Sequence, residues 1–364
     1  MLRSRRPFRA LVVLMVALVG VMIATGCQSI AGIEDRTYQP ASQLCIDYCN
    51  AVQKNCTGDN AVYGKDTCPG ICKNLPPGDP TEPSNANTVA CRLRFAKAAA
   101  SAPSEQCAAA GPGGDGTCGS PCDAYCMLFE KICPSAYNIV PDCQANCAAL
   151  ASHKGFSAVS DHSGDTVECR LVHLGAATLD PATHCPHAEF QSTDYCKNGN
   201  TAATCQDYCR AVTVACKGTF QQYASQAECM AVCAQLPLGT FADVSTNTVG
   251  CRYYHSFNAL ADPATHCPHS GPGGDGQCSK DNCEPYCKLM AKACPATAFA
   301  DPKTCAADCE QVEGHKAGEL YKSASTPMLC RLQAVSRAIA ARASSQDGTA
   351  DAECQKAVGQ TGCQ

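Results

Sequence analysis

Residues 205–278 decide the fold: CQDYCRAVTVACKGTFQQYASQAECMAVCAQLPLGTFADVSTNTVGCRYYHSFNALADPATHCPHSGPGGDGQC. They hold eight cysteines in the order Cys-x3-Cys-x6-Cys-x12-Cys-x3-Cys-x17-Cys-x15-Cys-x10-Cys. Nearly the same octet begins at Cys45, Cys122 and Cys283, and with Cys27 the four octets account for all 33 cysteines. We therefore predict four tandem modules of about 80 residues each, cross-linked because units of that size bury little core.

Cysteine usage and charge limit the class of protein. A cysteine at roughly every tenth position is typical of a secreted disulfide scaffold and implies an oxidising compartment. Structural zinc is the weaker interpretation, because zinc sites favour Cys-x2-Cys pairs and the close pairs here are Cys-x3-Cys. The formal net charge of −5 argues against nucleic-acid binding, which needs a basic face.

The modules alternate between two types, A and B. The first and third share a Gly-Pro-Gly-Gly-Asp-Gly turn, whereas the second and fourth share the segment Tyr-Cys-x-Leu-x-x-Lys-x-Cys-Pro. The predicted order is A-B-A-B, and the boundaries are 42–118, 119–197, 202–278 and 279–364.

Each module is predicted to be all-α and disulfide-rich, with about three short helices. The first three cysteines lie on one stripe of a helix, the second Cys-x3-Cys pair shares a helix face, and a third helix carries the sixth cysteine. Asp301-Pro302 is a helix start, with proline in the first turn. The segment around Cys185 is assigned to a turn, and the tyrosine before each second cysteine to the core.

Two antiparallel helices that each carry Cys-x3-Cys resemble the disulfide-stapled helical hairpins of small secreted peptides. That resemblance implies bonds from the first cysteine to the fifth and from the second to the fourth. The third cysteine is then expected to hold the third helix, and the last two to close a local loop, although eight cysteines allow about 105 pairings. In the third module, with equivalents in the others, these bonds are Cys205–Cys233, Cys209–Cys229, Cys216–Cys251 and Cys267–Cys278.

The N-terminus is predicted to direct export. Residues 1–26 combine four arginines with an apolar run that is shorter than the roughly 20 residues of a membrane span. The following Ala-Thr-Gly-Cys27 resembles the lipobox of bacterial lipoproteins, which implies lipidation of Cys27; ordinary signal cleavage nearby is the alternative. Residues 27–41 are predicted to be a tether.

The N-terminus, residues 31–36 and the module style together resemble the cysteine-rich repeat lipoproteins of myxobacterial type. This resemblance implies a palmitate-bearing anchor in the lipid bilayer of the cell outer membrane. It carries no activity to transfer, so the leading hypothesis is a structural or interaction role with envelope or extracellular protein partners. No Gly-x-Ser-x-Gly, His-Glu-x-x-His or paired-carboxylate pattern occurs, and neither enzymatic activity nor a cofactor is expected.

The alternative function is metal or small-ligand binding by histidines. The octapeptide Asp-Pro-Ala-Thr-His-Cys-Pro-His is identical at 180–187 and 262–269, and each copy follows a Cys-Arg-x-x-His. Three imidazoles per module suit zinc or copper, with haem as a further candidate. Shared ancestry also explains the identity, and histidine in a turn satisfies backbone groups. The candidate ligands are His173, His184, His187, His255, His266 and His269.

An arginine follows the sixth cysteine of every module. A guanidinium group binds carboxylates well, so these residues either line a groove for anionic ligands or pin carbonyls and acids within their own module. The second interpretation is favoured, because a position next to a disulfide suits packing. The four residues are Arg92, Arg170, Arg252 and Arg331.

Overall fold

The computed structural model describes residues 42–81, 84–137, 142–192, 195–321 and 326–363. The predicted export signal, the tether and Cys27 lie outside these residues. Within them the chain forms seventeen α-helices and four short 3-10 helices, with two isolated bridges and no β-strand. The prediction of an all-α, disulfide-rich fold is confirmed.

The helices follow the four cysteine octets along the chain. The first octet contains α1 (Gln43–Asn55), α2 (Cys68–Cys72), α3 (Val89–Ala98) and α4 (Pro103–Ala110). The second contains α5 (Pro121–Ile132), α6 (Pro134–Tyr137), α7 (Cys143–Ala149), α8 (Val167–Ala177) and α9 (Pro181–Ala188). The third contains α10 (Cys205–Ala215), α11 (Gln226–Cys233), α12 (Val249–Asn258) and α13 (Pro263–Ser270). The fourth contains α14 (Cys283–Ala293), α15 (Pro302–Cys309), α16 (Pro327–Ala343) and α17 (Asp347–Ala357).

Every octet contains a helix that the sequence analysis did not predict. The segment around Cys185 is the helix α9 and not a turn: the Asp180 side chain accepts a hydrogen bond from the Thr183 N–H, and Pro181 occupies the first turn. Such a start is favourable because proline lacks the N–H that a first turn leaves unbonded. The same Asp-Pro signal was recognised at Asp301 and overlooked here.

The disulfide connectivity is the same in all four octets. The sixteen bonds join the first cysteine to the fifth, the second to the fourth, the third to the seventh and the sixth to the eighth. Two bonds predicted for the third octet are therefore present, namely Cys205–Cys233 and Cys209–Cys229.

The other two predicted bonds, Cys216–Cys251 and Cys267–Cys278, are wrong. The structure has Cys216–Cys267 and Cys251–Cys278 instead. Cys216 caps the C-terminal end of α10, and its partner lies on α13, a helix that the sequence analysis did not predict. The sixth cysteine, on α12, is consequently left for the eighth, and the loop predicted between the last two cysteines is not closed by a bond.

The apolar residues form two core clusters. One is built from residues between 45 and 190, and the other chiefly from residues between 203 and 363, while Phe257 packs against both. Helix α7 packs on α10, and the Arg210 Nε donates to the Ala149 carbonyl at 3.1 Å. The two cores thus meet through α7, α10 and α12, while the proposed module boundaries stay predictions.

A fully buried arginine connects the third helix of the first octet to the loop after α4. Arg92 donates from Nε to the Gly111 carbonyl at 2.9 Å and from a terminal nitrogen to the Pro112 carbonyl at 2.7 Å. Gly114 has a φ of +68°, and a Cβ there would lie 3.2 Å from the guanidinium group, so the glycine-rich loop can approach closely. The pKa of Arg92 is lowered by its burial.

The second and third octets repeat this arrangement. Arg170 binds the Glu189 and Phe190 carbonyls, and Arg252 binds those of Gly271 and Pro272. Both guanidinium groups are fully buried, so they cannot reach a ligand in solvent. The local, structural interpretation of these three arginines therefore holds, and the anion-groove alternative does not. The tyrosine before the second cysteine of each octet is part of the core, as predicted. Each hydroxyl donates to a carbonyl at the end of the last helix of its octet, and the four residues are Tyr48, Tyr125, Tyr208 and Tyr286.

Replacing Arg92 by methionine should lower the free energy of unfolding by about 3 kcal/mol or more, because buried carbonyl groups lose their donors. The matched control is Arg94→Met on the exposed face of the same helix, with an expected effect within about 0.5 kcal/mol. Urea unfolding of the disulfide-bonded proteins, followed by circular dichroism, measures both. Equal midpoints for the two variants would contradict the role given to Arg92.

Candidate metal centres

Each predicted histidine trio converges in space. In the second octet His173 lies on α8, while His184 and His187 lie three residues apart on one face of α9. One ring nitrogen from each of the three lies within 4.8 Å of the other two. We call this trio cluster 1.

Cluster 2 reproduces the arrangement in the third octet, with His255 on α12 and His266 and His269 on α13. The two triangles of imidazole rings are nearly congruent. The ring centroids of the first and second histidines are 5.6 Å apart in cluster 1 and 5.3 Å apart in cluster 2. Those of the first and third are 5.0 and 4.9 Å apart, and those of the second and third are 5.5 and 5.7 Å apart.

Backbone carbonyls orient the first histidine of each cluster. The Nε2 atom of His173 lies 3.3 Å from the His162 carbonyl, and that of His255 lies 3.2 Å from the Val244 carbonyl. A carbonyl only accepts, so each Nε2 carries the proton, and the Nδ1 lone pair is left to face the other rings. A hydrogen bond from the distal ring nitrogen to a carbonyl is also the usual support of a metal-binding histidine.

The first two histidines of each cluster are hydrogen-bonded to each other. The Nδ1 atoms of His173 and His184 are 3.3 Å apart, and those of His255 and His266 are 3.0 Å apart. Because Nδ1 of the first histidine carries the lone pair, Nδ1–H of the second donates to it, and binding of a metal ion through both Nδ1 atoms would require that proton to move to Nε2 of the second ring. Ligand nitrogens at about 2.0–2.1 Å from a tetrahedral zinc ion lie roughly 3.3 Å from one another. The first two nitrogens of each cluster therefore already have nearly the spacing of a metal site.

The third histidine of each cluster has a buried nitrogen without a partner. The Nδ1 atoms of His187 and His269 are buried and make no hydrogen bond. Burying an unpaired polar atom costs about 1–3 kcal/mol, so a native structure normally gives such an atom a partner. A cation held by the three rings would supply it.

Burial favours the neutral form of five of the six histidines. Desolvation by burial, together with smaller contributions from neighbouring histidines, lowers the pKa of His173, His255 and His269 to about 4. The pKa values of His184 and His266 are also lowered by burial. Since only a neutral imidazole binds a metal ion, these rings are available as ligands at neutral pH without first losing a proton.

Two disulfides fix the position of each cluster without contributing ligands. Cys169 and Cys196 approach His173, but they are bonded to each other and so offer no thiolate. Cys185, which separates His184 from His187, is bonded to Cys133 at the end of α5. The same bonds at Cys251–Cys278 and Cys216–Cys267 surround cluster 2.

Tyr195 is a neighbour of cluster 1 that the sequence analysis missed. Its ring lies 4.6 Å from the ring of His187 and 5.2 Å from that of His173, and 51% of the residue is exposed. Before the eighth cysteine of the third octet stands Gln277 instead. The two clusters therefore have equivalent histidines but differ on the side that faces solvent. Tyr195 belongs to no repeated motif, so the sequence pattern did not point to it.

Fold and site together define a disulfide-stapled helical protein with two matching three-histidine clusters. A profile described as BfoA family C-terminal domain matches residues 23–124 and 198–281, which together make up half of the chain. The chain belongs to this family. The second match includes cluster 2, whereas cluster 1 lies between the two matches.

The chain is also similar to named fungal proteins. It is 39% identical over 67 residues to "Aurasperone B biosynthesis cluster protein A" of Aspergillus niger and to "Bifonsecin B biosynthesis cluster protein A" of Aspergillus brasiliensis. Those residues are 18% of this chain and 22% and 23% of the two relatives, so the chain spans about a fifth of their length. No solved structure matches the chain.

These relatives correct the prediction of a myxobacterial-type lipoprotein. The family is represented by Aspergillus proteins, so that recognition is wrong, and so is the location in a bacterial outer membrane. They likewise argue against palmitate and a lipid anchor at Cys27. The lipidation prediction rested on the four residues Ala-Thr-Gly-Cys27, and the family recognition also on residues 31–36 and the module style, whereas arginines before an apolar run are common to export signals in general. Among the described helices, none is long and apolar enough to cross a membrane.

The depressed histidine pKa values predict a loss of stability in acid. In the unfolded chain these groups bind protons below their ordinary pKa of about 6.5, but in the folded protein His173, His255 and His269 do so only near pH 4. The unfolded state therefore binds more protons in between, and the free energy of unfolding should fall as the pH drops from about 6.5 to about 4. Urea titrations of the metal-free, disulfide-bonded protein across this range measure the slope.

Carboxylates also contribute to the pH dependence of the free energy of unfolding. The test is therefore the difference in slope between the wild type and the variant His255→Phe. This variant removes one protonation step and should show a shallower dependence on pH. Parallel curves for the two proteins would refute the assignment.

Proposed function

We propose that this protein binds transition-metal ions, with one ion of zinc or copper at each histidine cluster. The observation that carries the proposal is the convergence of three imidazoles in each of two clusters, each time with a buried nitrogen that lacks a hydrogen-bond partner. Three nitrogen ligands with a fourth position towards solvent suit either metal.

The geometry favours an ion over haem. The imidazole rings of each cluster lie about 5 to 6 Å from one another, centroid to centroid, which leaves no room for a macrocycle between them. Haem ligation uses one or two axial side chains on the faces of the ring, and a third converging imidazole has no place there. In the proposed site, His173 and His255 bind through Nδ1, because Nε2 of each is held by a carbonyl.

We propose binding and not catalysis as the role of these sites. The carboxylates that interact electrostatically with the clusters belong to Asp180 and Asp262. They cap the starts of α9 and α13, and those hydrogen bonds lower their pKa values. A general base needs a pKa near the working pH, which a capping carboxylate does not have. The disulfides would then serve to hold rigid sites for reversible binding of the ion.

Titration of the chelator-treated protein with Zn²⁺ or Cu²⁺ should give two equivalents bound. His187→Ala and His269→Ala should each leave one equivalent, and the double variant none, because each removes the nitrogen that lacks a partner. The control is His315→Ala, at a histidine outside both clusters, which should keep two equivalents. The metal content of dialysed samples and the visible spectrum of the Co²⁺ form measure stoichiometry and coordination.

The competing hypothesis is a structural or interaction role with protein partners, in which the histidines only pack. A protein that binds neither metal on titration, or a double variant that binds as much as the wild type, would favour that hypothesis and end the metal proposal.

A further inference from the structure

A second candidate site lies between the two hydrophobic cores, apart from the histidine clusters. It is a cleft of about 490 Å³, bounded on one side by α12 and on the other by the segment that leads from the second octet to the third. Five aromatic residues line it, and we call it the aromatic cleft: Phe190, Phe241, Tyr253, Tyr254 and Phe257. Its volume falls within the roughly 300–1,000 Å³ of pockets that hold small organic molecules.

The aromatic rings are arranged edge to face. Phe241 and Tyr253 have centroids 4.8 Å apart at an interplanar angle of 75°, and Tyr253 and Phe257 have centroids 4.9 Å apart at 67°. Rings that already meet edge to face offer both faces and edges to a further aromatic ring, which prefers the same offset or T-shaped contacts. The cleft is thus shaped for a planar aromatic guest more than for a flexible aliphatic chain.

The polar groups in the wall are bonded to one another, which makes the cleft preformed. The Tyr253 hydroxyl donates to one oxygen of Asp165, and the other oxygen accepts from Arg170 at 2.7 Å. Arg170 also holds the Phe190 carbonyl at 2.7 Å. Because the aromatic walls are fixed in this way, a ligand need not order them, and that entropic cost of binding is reduced.

One edge of the cleft carries side-chain amides. Gln191 and Asn198 line it, held respectively by the Asn258 side chain at 2.8 Å and by the Asp165 N–H at 2.9 Å. Amides both donate and accept hydrogen bonds, and they are placed to meet hydroxyl or carbonyl groups at the rim of a flat molecule. A few polar groups beside apolar walls are what usually fix a ligand's orientation.

We propose that the aromatic cleft binds a planar aromatic small molecule with hydroxyl or carbonyl groups on its edge. This inference requires no bound metal, since no member of either histidine cluster lines the cleft; Tyr254 does contact cluster 2, with its ring 5.1 Å from that of His255. Tyr254 is the most exposed of the five aromatic residues that line the cleft, with 42% of the residue exposed. Its side chain can therefore be removed without creating a cavity in a hydrophobic core.

The probe is 2-naphthol, added to the full chain with its disulfides intact and followed by its own fluorescence; the chain has no tryptophan to interfere. Saturable binding at one equivalent is expected, and Tyr254→Ala should weaken it roughly three- to tenfold through the loss of one aromatic contact. Phe241→Leu, which keeps an apolar side chain and removes the ring, should act in the same direction. The control is Leu179→Ala, at a residue 56% exposed and outside the cleft, which should bind as the wild type does.

Three outcomes would overturn the proposal: no saturable binding of 2-naphthol, equal binding by Tyr254→Ala and Leu179→Ala, or equally tight binding of the saturated analogue 2-decalol. The titration is done on both chelator-treated and Zn²⁺-loaded protein. Failure of this proposal therefore leaves the metal stoichiometry, measured separately, unaffected.

Discussion

The bond between the third and seventh cysteines of an octet decides where its last helix lies, and the histidine clusters depend on that position. In the second octet Cys133 holds Cys185, which stands between His184 and His187. A cross-link across 52 residues removes roughly 4 kcal/mol of chain entropy from the unfolded state. The bond from Cys169 to Cys196 fixes α8 next to His173. These two disulfides therefore hold the three imidazoles close together. They do so although each imidazole, if protonated, would repel the other two.

The part of this fold that follows from local spacing could be predicted from the sequence. Cysteines four residues apart share a helix face, and the resemblance of two such helices to disulfide-stapled helical hairpins implied the first-to-fifth and second-to-fourth bonds. The remaining bonds depend on long-range packing, which spacing does not encode. Cys216 was assigned to Cys251 because the third cysteine was expected to hold the third helix, and the helix that carries its actual partner, Cys267, was not predicted. The other incorrect bond, Cys267–Cys278, followed from the expectation that the last two cysteines close a local loop.

The sequence predicted which histidines form the candidate site, but not how they are arranged in space. Identical octapeptides at 180–187 and 262–269 identified the histidines, and their shared ancestry was an equally good explanation of the pattern. Convergence required that His184 and His187 lie on one face of a helix that packs against α8, which the turn assignment did not give. Tyr195 could not be found at all, because no spacing or repetition distinguishes it from other exposed tyrosines.

The other two octets show that the histidines are not needed to build the scaffold. In the first octet the three positions hold Phe95, Gln106 and Ala109, and its four disulfides have the same connectivity. In the fourth octet they hold a buried alanine, Ala334, and an ion pair in which the Lys356 Nζ lies 2.6 Å from Glu353. Apolar contact or a partly buried ion pair therefore occupies these positions without leaving a buried nitrogen unpaired.

The central octets instead keep three polar rings each, and burial lowers the pKa of His173 and His255 while the Nδ1 atoms of His187 and His269 are buried without a hydrogen-bond partner. The lowered pKa values cost stability in acid, relative to the side chains that the other two octets use at these positions. The metal ion proposed above would supply the partner that these buried nitrogens lack, at both clusters and with the same geometry.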